Sequence, residues 1–210
     1  MLDTQIPRAF LASCNVAPEV FELRPDYLAM LLIVDGIDPT SWTRSVGGAV
    51  DDLVEAAEAH ARALIAQSPA DELPHIAAWR EAYRAFGAKP QRTRNSLEAL
   101  TRRAVTGLPR VNALTDTYNA VAVLEQIPCG GEDFIAYQGP ACLVRSAGDE
   151  VFDTAANGEI KIEHPEHGEV VWRDDIGVTC RRWNWRQGRR TALTDNTRTA
   201  FFILDALTPI

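Results

Sequence analysis

Residues 111–133 read VNALTDTYNAVAVLEQIPCGGED, and the rest of the chain is organised around this stretch. Ala113, Val121 and Leu124, with Ala120 and Val123 filling in, form one apolar stripe of a helix. Asp116 and Asn119 are three apart, so they project from nearly the same side of that helix, away from the stripe. Such a pair either caps backbone in a neighbouring turn or presents polar groups to a ligand. Pro128 stops the helix. Gly130 and Gly131 then make a turn that can approach a ligand closely, and Glu132 and Asp133 end it with two carboxylates.

Upstream, Asn95 caps a helix with Glu98 three residues on as the reciprocal half of a capping box, and Leu97, Leu100, Ala104 and Val105 form the buried face. Before it, Ile76, Trp79, Tyr83 and Phe86 make an aromatic stripe that reads as core, stopped by Gly87. From residue 49, Val50, Leu53, Val54, Ala57, Ala61, Leu64 and Ile65 recur at helical spacing. Residues 41–48 read as a loop and residues 1–19 as irregular. Residues 19–23 and 27–37 read as strands split by Arg24-Pro25-Asp26. The second, YLAMLLIVDGI, is apolar throughout, as a strand covered on both faces would be.

Downstream the texture changes. Residues 141–145, 150–153, 159–163, 169–172 and 178–185 read as short strands, with Asn157-Gly158 as a hairpin turn. Residues 194–207 read as a closing helix that buries Phe201, Phe202, Leu204 and Leu207. The expected class is α+β, helices packed on a largely antiparallel sheet that the early strands complete. No linker divides the 210 residues, so residues 1–74 are expected to be the N-terminal part of the same single domain.

A net charge of −8 argues against a protein that coats nucleic acid through its overall field, and no DNA partner is expected. The charge is uneven, however. Arg92, Arg94, Arg102 and Arg103 fall in one basic stretch, which suits either a local phosphate site on RNA or a solvated face. No apolar run approaches a membrane span, and the first residues carry no secretory pattern, so a cytoplasmic protein without a membrane partner is expected. Cys14, Cys129, Cys142 and Cys180 are far apart and read as free thiols.

Glu163-His164-Pro165-Glu166-His167-Gly168-Glu169 is rich in ligand-type side chains. Pro165 breaks the helix that two His three apart would need, so the segment reads as a solvated hairpin loop and no metal or other cofactor is expected. His60 and His75 read as surface or edge residues of helices. In Arg181-Arg182-Trp183-Asn184-Trp185-Arg186, a strand would put both indoles on one face and Arg182, Asn184 and Arg186 on the other. The indoles then either cover the core or, with the arginines, stack a base and pair with phosphates.

The pattern of Asn112, Asp116, Asn119, Pro128 and Asp133 resembles the B-three/B-four domain of the phenylalanyl-tRNA synthetase β subunit. The likeness continues through GPACLVRSA at 139–147 and GDEVF at 148–152, and it covers residues 75–207. In the synthetase this domain is an editing site that hydrolyses tyrosine wrongly attached to its tRNA. The resemblance therefore implies a freestanding editing-type module rather than a complete synthetase, with tRNA or aminoacyl-tRNA as partner. It implies that Asn112 and Asn119 orient the aminoacyl group and that Asp116 supports the helix or binds the α-amine. Gly130, Gly131, Trp183, Asn184 and Arg186 would form the rest of the binding site. The family pattern Pro-Leu-His-Ala-Phe-Asp departs here to Pro-Cys-Gly-Gly-Glu-Asp, so Gly130 stands where the synthetases carry a histidine. Glu132 or Asp133 would then hold the hydrolytic water. Trp183-Asn184-Trp185-Arg186 resembles freestanding relatives, where the synthetases carry a Gly-rich segment. The reading is an aminoacyl- or tRNA-binding protein, as an aminoacyl-tRNA deacylase. The alternatives are a non-catalytic amino-acid or RNA-binding module, or a small-molecule enzyme using the same pocket.

Overall fold

Thr199–Ala206, expected to be helical, is instead the central strand of the fold (β10) in the computed structural model, which describes residues 3–38, 47–156 and 158–208. TAFFILDA is apolar without a period because nearly all of it is buried, and a two-sided strand of this kind cannot be told from a buried helix by pattern alone. β10 pairs antiparallel with β2 (Leu28–Asp35) on one side and β3 (Cys129–Asp133) on the other. One face, Ala200 and Phe202, packs with Ala122 and Tyr118 of α6 (Ala113–Leu124). The other face, Phe201 and Ile203, packs against a second sheet.

That second sheet has the order β1 (Asn15–Val16), β4 (Cys142–Arg145), β7 (Val170–Arg173), β8 (Val178–Arg181) and β9 (Arg186–Gln187). Only the β1–β4 pairing is parallel. β5 (Phe152–Ala156) and β6 (Glu159–Glu163) form a separate antiparallel hairpin, whose Asn157 lies outside the described residues. The α+β class with a largely antiparallel sheet is as expected.

α6 packs on one face of the three-stranded sheet, and α3 (Gly47–Gln67) packs on α6 and α5 (Ser96–Ala104). α3 lays Val50, Val54, Ala57 and Ala61 against Ala104, Ala120 and Val123, as its spacing predicted. The expected loop ahead of it lies outside the described residues over 41–46. α4 (Pro74–Ala85) buries Ile76, Trp79 and Tyr83 completely, and Gly87 ends it at φ +90°. α5 (Ser96–Ala104) is capped by Asn95, whose side chain accepts from Glu98 N at 2.8 Å. Glu98 does not reciprocate. Its buried carboxylate takes Arg80 at 2.8 Å and Arg102 at 3.0 Å, because an unpaired charge there would be costly.

Several expectations at the N-terminus need correction. Residues expected to be irregular form α1 (Gln5–Ser13), and 19–23, expected to be a strand, lies in α2 (Pro18–Leu23), where Pro18 sits at the first helical position. β2 is not covered on both faces by described residues. It is an edge strand with Leu28, Met30, Leu32 and Val34 exposed. His75 is buried rather than superficial: its Nδ1 lies 2.6 Å from Gln126 O, and its Nε2 accepts from Leu207 N at 3.0 Å. Among the described residues no helix is long and apolar enough to cross a membrane.

Candidate functional site

The space between the two sheets does not fill completely. Where β3 and β10 face β8 and β9, a cavity of about 250 Å³ remains, lined also by the first turns of α5 and by Tyr118 and Asn119 of α6. The reversal after α6 comes earlier than expected. Leu124 is the last helical residue, Gln126 takes φ +53°, and after Pro128 the residues Cys129-Gly130-Gly131 run on as strand rather than turn. Strand alternation then sends Gly130 and Glu132 toward the second sheet. In register, Gly130 stands beside Ile203 and Glu132 beside Phe201.

Gly130 leaves room that Gln187 of β9 uses. A Cβ on Gly130 would sit 3.0 Å from Gln187 Nε2, and that amide donates to Gly131 O at 3.0 Å. On the other face a Cβ at Gly131 would meet Phe202, Leu193 and Tyr118 at 3.0 Å or less, so both glycines answer to close approach. The position where the synthetase pattern carries a histidine is thus occupied by a neutral amide reaching in from β9.

Two buried carboxyls line the cavity. Glu132 Oε2 accepts from the Tyr137 hydroxyl, while Oε1 has no hydrogen-bond partner among the described residues. Burial pushes the Glu132 carboxyl up to about 7, against the Tyr137, Thr179 and Thr191 hydroxyls and the Arg190 guanidinium, which favour the ionised form. Asp205 closes a polar chain. Its Oδ1 accepts from Tyr27 OH at 2.6 Å, its Oδ2 faces Asn184 Nδ2 at 3.4 Å, and Asn184 Oδ1 accepts from Tyr83 OH at 3.0 Å. Burial pushes Asp205 up to about 7 as well. Two thiols share the wall. Burial raises Cys129 to about 12 and Cys180 well above its ordinary range, so neither supplies a thiolate near neutrality.

The tryptophan segment is a turn, not the expected strand. β8 ends at Arg181, and Arg182 and Trp183 take φ +48° and +67°. The two indoles therefore do not share a face. Trp183 is fully buried against Tyr27 and Trp79, whereas Trp185 lies at the cavity edge with the Arg182 and Arg186 guanidinia 4.5 and 4.7 Å from its ring centre. Glu163 and Glu169, from the segment rich in ligand-type residues, tie down these arginines: Arg181 meets Glu169 at 2.8 Å and Arg186 meets Glu163 at 2.7 Å.

Of the residues expected at a site, Asn119, Gly130, Glu132, Trp183, Asn184 and Arg186 come together around the cavity. Gly131 contributes its carbonyl to Gln187. The others have local partners outside it. Asn112 caps α6 by accepting from Thr115 N at 2.9 Å, and Asp116 accepts from Val111 N at 2.9 Å, so it supports the helix start. Asp133 accepts from Ile135 N and from Thr197 Oγ1. Arg92, Arg94, Arg102 and Arg103 are exposed beside α5, with Arg102 held by Asp71 at 2.8 Å and Arg94 3.7 Å from Glu98. Asp205, Gln187, Tyr118 and Cys180 were not foreseen. Asp205 had one signal, a lone acid within FFILDAL that a strand reading would have aligned with Phe201 and Ile203.

The B3/4 domain model matches residues 78–210. The chain belongs to the B3/4 domain family. This is the domain type found in the phenylalanyl-tRNA synthetase β subunit, and the match begins within α4 and takes in every residue lining the cavity. A comparison with curated proteins finds no match. α1, β1, α2, β2 and α3 precede the matched span.

Proposed function

We propose that this B3/4 domain takes the aminoacyl end of a charged tRNA into the cavity and hydrolyses its ester, acting as a deacylase in trans. The observation that carries the reading is Glu132, a buried carboxyl of the cavity lining whose Oε1 has no hydrogen-bond partner among the described residues. A carboxyl raised to about 7 is matched to proton transfer near neutral pH. The volume of about 250 Å³ falls below the range of roughly 300–1,000 Å³ usual for larger ligands. An aminoacyl group suits that space, with the tRNA remaining outside beside Arg92, Arg94, Arg102 and Arg103.

In this reading Glu132 Oε1 takes a proton from a water as the water oxygen attacks the ester carbonyl. The tetrahedral intermediate collapses, the bond between the acyl carbon and the ribose oxygen breaks, and the proton returns to that oxygen. Free amino acid and tRNA leave. Asn119 and Asn184 offer amides to orient the substrate, and Trp183 supplies apolar wall. Gln187 Nε2 is a donor close to where the family histidine would stand.

A screen of deacylation across mischarged tRNAs tests this, with Glu132→Gln as the decisive variant. Turnover should fall by about 10²–10⁴-fold while binding of a non-hydrolysable aminoacyl-tRNA mimic persists. Wild type that binds a charged tRNA saturably but cleaves none is a non-catalytic binding module. No binding and no cleavage leaves a small-molecule pocket.

A further inference from the structure

Glu132 is useful as a base only if one oxygen is held and the other is free, and the surroundings divide them in this way. The Tyr137 hydroxyl donates to Oε2, and the same phenol oxygen lies 3.3 Å from Thr179 Oγ1 on β8. Oε1 is left without a partner among the described residues. The Tyr137 ring is itself held edge-on by Phe201 of β10 at 5.3 Å and by Phe10 of α1 at 5.4 Å. Phe10 also packs edge-on to Phe134 at 5.0 Å and Phe201 at 5.2 Å, so α1, which precedes the family-matched span, reaches the base of the site.

We infer that Tyr137 is a positioning residue for Glu132: its phenol fixes Oε2, leaves Oε1 as the oxygen without a hydrogen-bond partner, and is seated by Phe10 of α1. The inference rests on the hydrolytic reading for its role in turnover, though not for its effect on the Glu132 carboxyl. Besides Tyr137, the Thr179 and Thr191 hydroxyls act on that carboxyl and favour its ionised form. Tyr118 on α6 and Cys180 on β8 are both pushed up by burial and stay neutral, and Arg190 is the cation that acts on it. Tyr137, raised well above its ordinary range by burial and by Glu132, remains a donor throughout. Removing a donor from a carboxylate disfavours its charged form, so the carboxyl must then titrate at higher pH.

The test is Tyr137→Phe, which deletes one oxygen and keeps the ring. Carboxyl ¹³C NMR of glutamate-labelled protein, with the Glu132 signal assigned through Glu132→Gln, should show its midpoint rising by about one pH unit. Deacylation near pH 7 should fall about fivefold as the ionised fraction drops, and largely recover by about pH 8.5 once uncatalysed hydrolysis is subtracted. Phe10→Leu, which loosens the ring without touching the hydrogen bond, should move the midpoint the same way by less. A midpoint unmoved in Tyr137→Phe, or a loss of rate equal at every pH, overturns the inference. If Tyr137→Phe does not fold, an unmoved midpoint in Phe10→Leu does the same. Wild type that deacylates nothing sinks the hydrolytic reading alone, and the NMR midpoint still decides whether Tyr137 governs Glu132.

Discussion

Glu132 and Asp205 are acids that the fold buries without a cation at hydrogen-bond distance among the described residues, and this has a consequence for stability. The Glu132 carboxyl titrates at about 7 when folded, against 4.5 ordinarily, because burial disfavours its charge. Between those pH values the folded state keeps a proton that the unfolded state has released, so this group's contribution to stability falls as pH rises through the window. Glu132→Gln removes the titration and retains an oxygen to accept from Tyr137. The variant should match wild type near pH 4 and exceed it by roughly 3 kcal/mol above pH 7, where wild type holds a buried charge. Urea denaturation at the two extremes measures the difference. An equal offset at both would show that the carboxyl is not raised in the folded protein.

The element that most changes the reading of the site is the turn of residues 182–185 between β8 and β9. As a strand it would have made Trp183 and Trp185 equivalent. As a turn it separates them, because Trp183 N donates to Val170 O at 2.6 Å and Ser96 N to Asn184 O at 3.1 Å, fixing the reversal from both sides. Trp183→Ala should cost about 3–5 kcal/mol, as expected for deleting a fully buried indole. Trp185→Ala removes a ring that is only partly buried and whose main partners are Arg182 and Arg186, so it should cost less than half as much. It should nevertheless weaken binding of the aminoacyl-tRNA mimic, since Arg186 at the cavity wall loses its support. Paired urea melts and binding titrations separate the two roles. Equal destabilisation by the two changes would contradict the turn.

At the scale of the molecule, an overall charge of −8 confines any RNA binding to a local patch, and the exposed arginines beside α5 flank the helix whose first turn lines the cavity. They are not equivalent. Among the described residues Arg92 and Arg103 form no ion pair, whereas Arg102 bridges Asp71 and Glu98. Arg92→Ala and Arg103→Ala should weaken tRNA binding, and each should flatten the slope of log affinity against log salt by about 0.7–0.9 for every phosphate it neutralises. Arg102→Ala should also lower thermal stability, since it strips one partner from the buried Glu98 carboxylate. Binding titrations over a salt series, beside melts of each variant, distinguish these outcomes. Binding indifferent to Arg92 and Arg103 would place the tRNA elsewhere.

Elements with a period or a local signal were legible from the sequence: α3 by its apolar spacing, α4 by its aromatic stripe, α5 by the Asn95 cap, and β6 between Asn157-Gly158 and Pro165. So were six of the residues that meet at the cavity, because the motif that carries them is contiguous in three short stretches. Tertiary structure decided the rest. β10 is buried on both faces, which erases the alternation that marks a strand, and so Asp205 was hidden within an apparent helix. Gly130 and Gly131 could serve a turn or a closely packed strand equally well, and only the approach of Gln187 and Phe202 chose between them. Tyr137, which donates to Glu132 Oε2, meets Thr179 and Phe10 from two further elements, and no local pattern in the chain records their meeting.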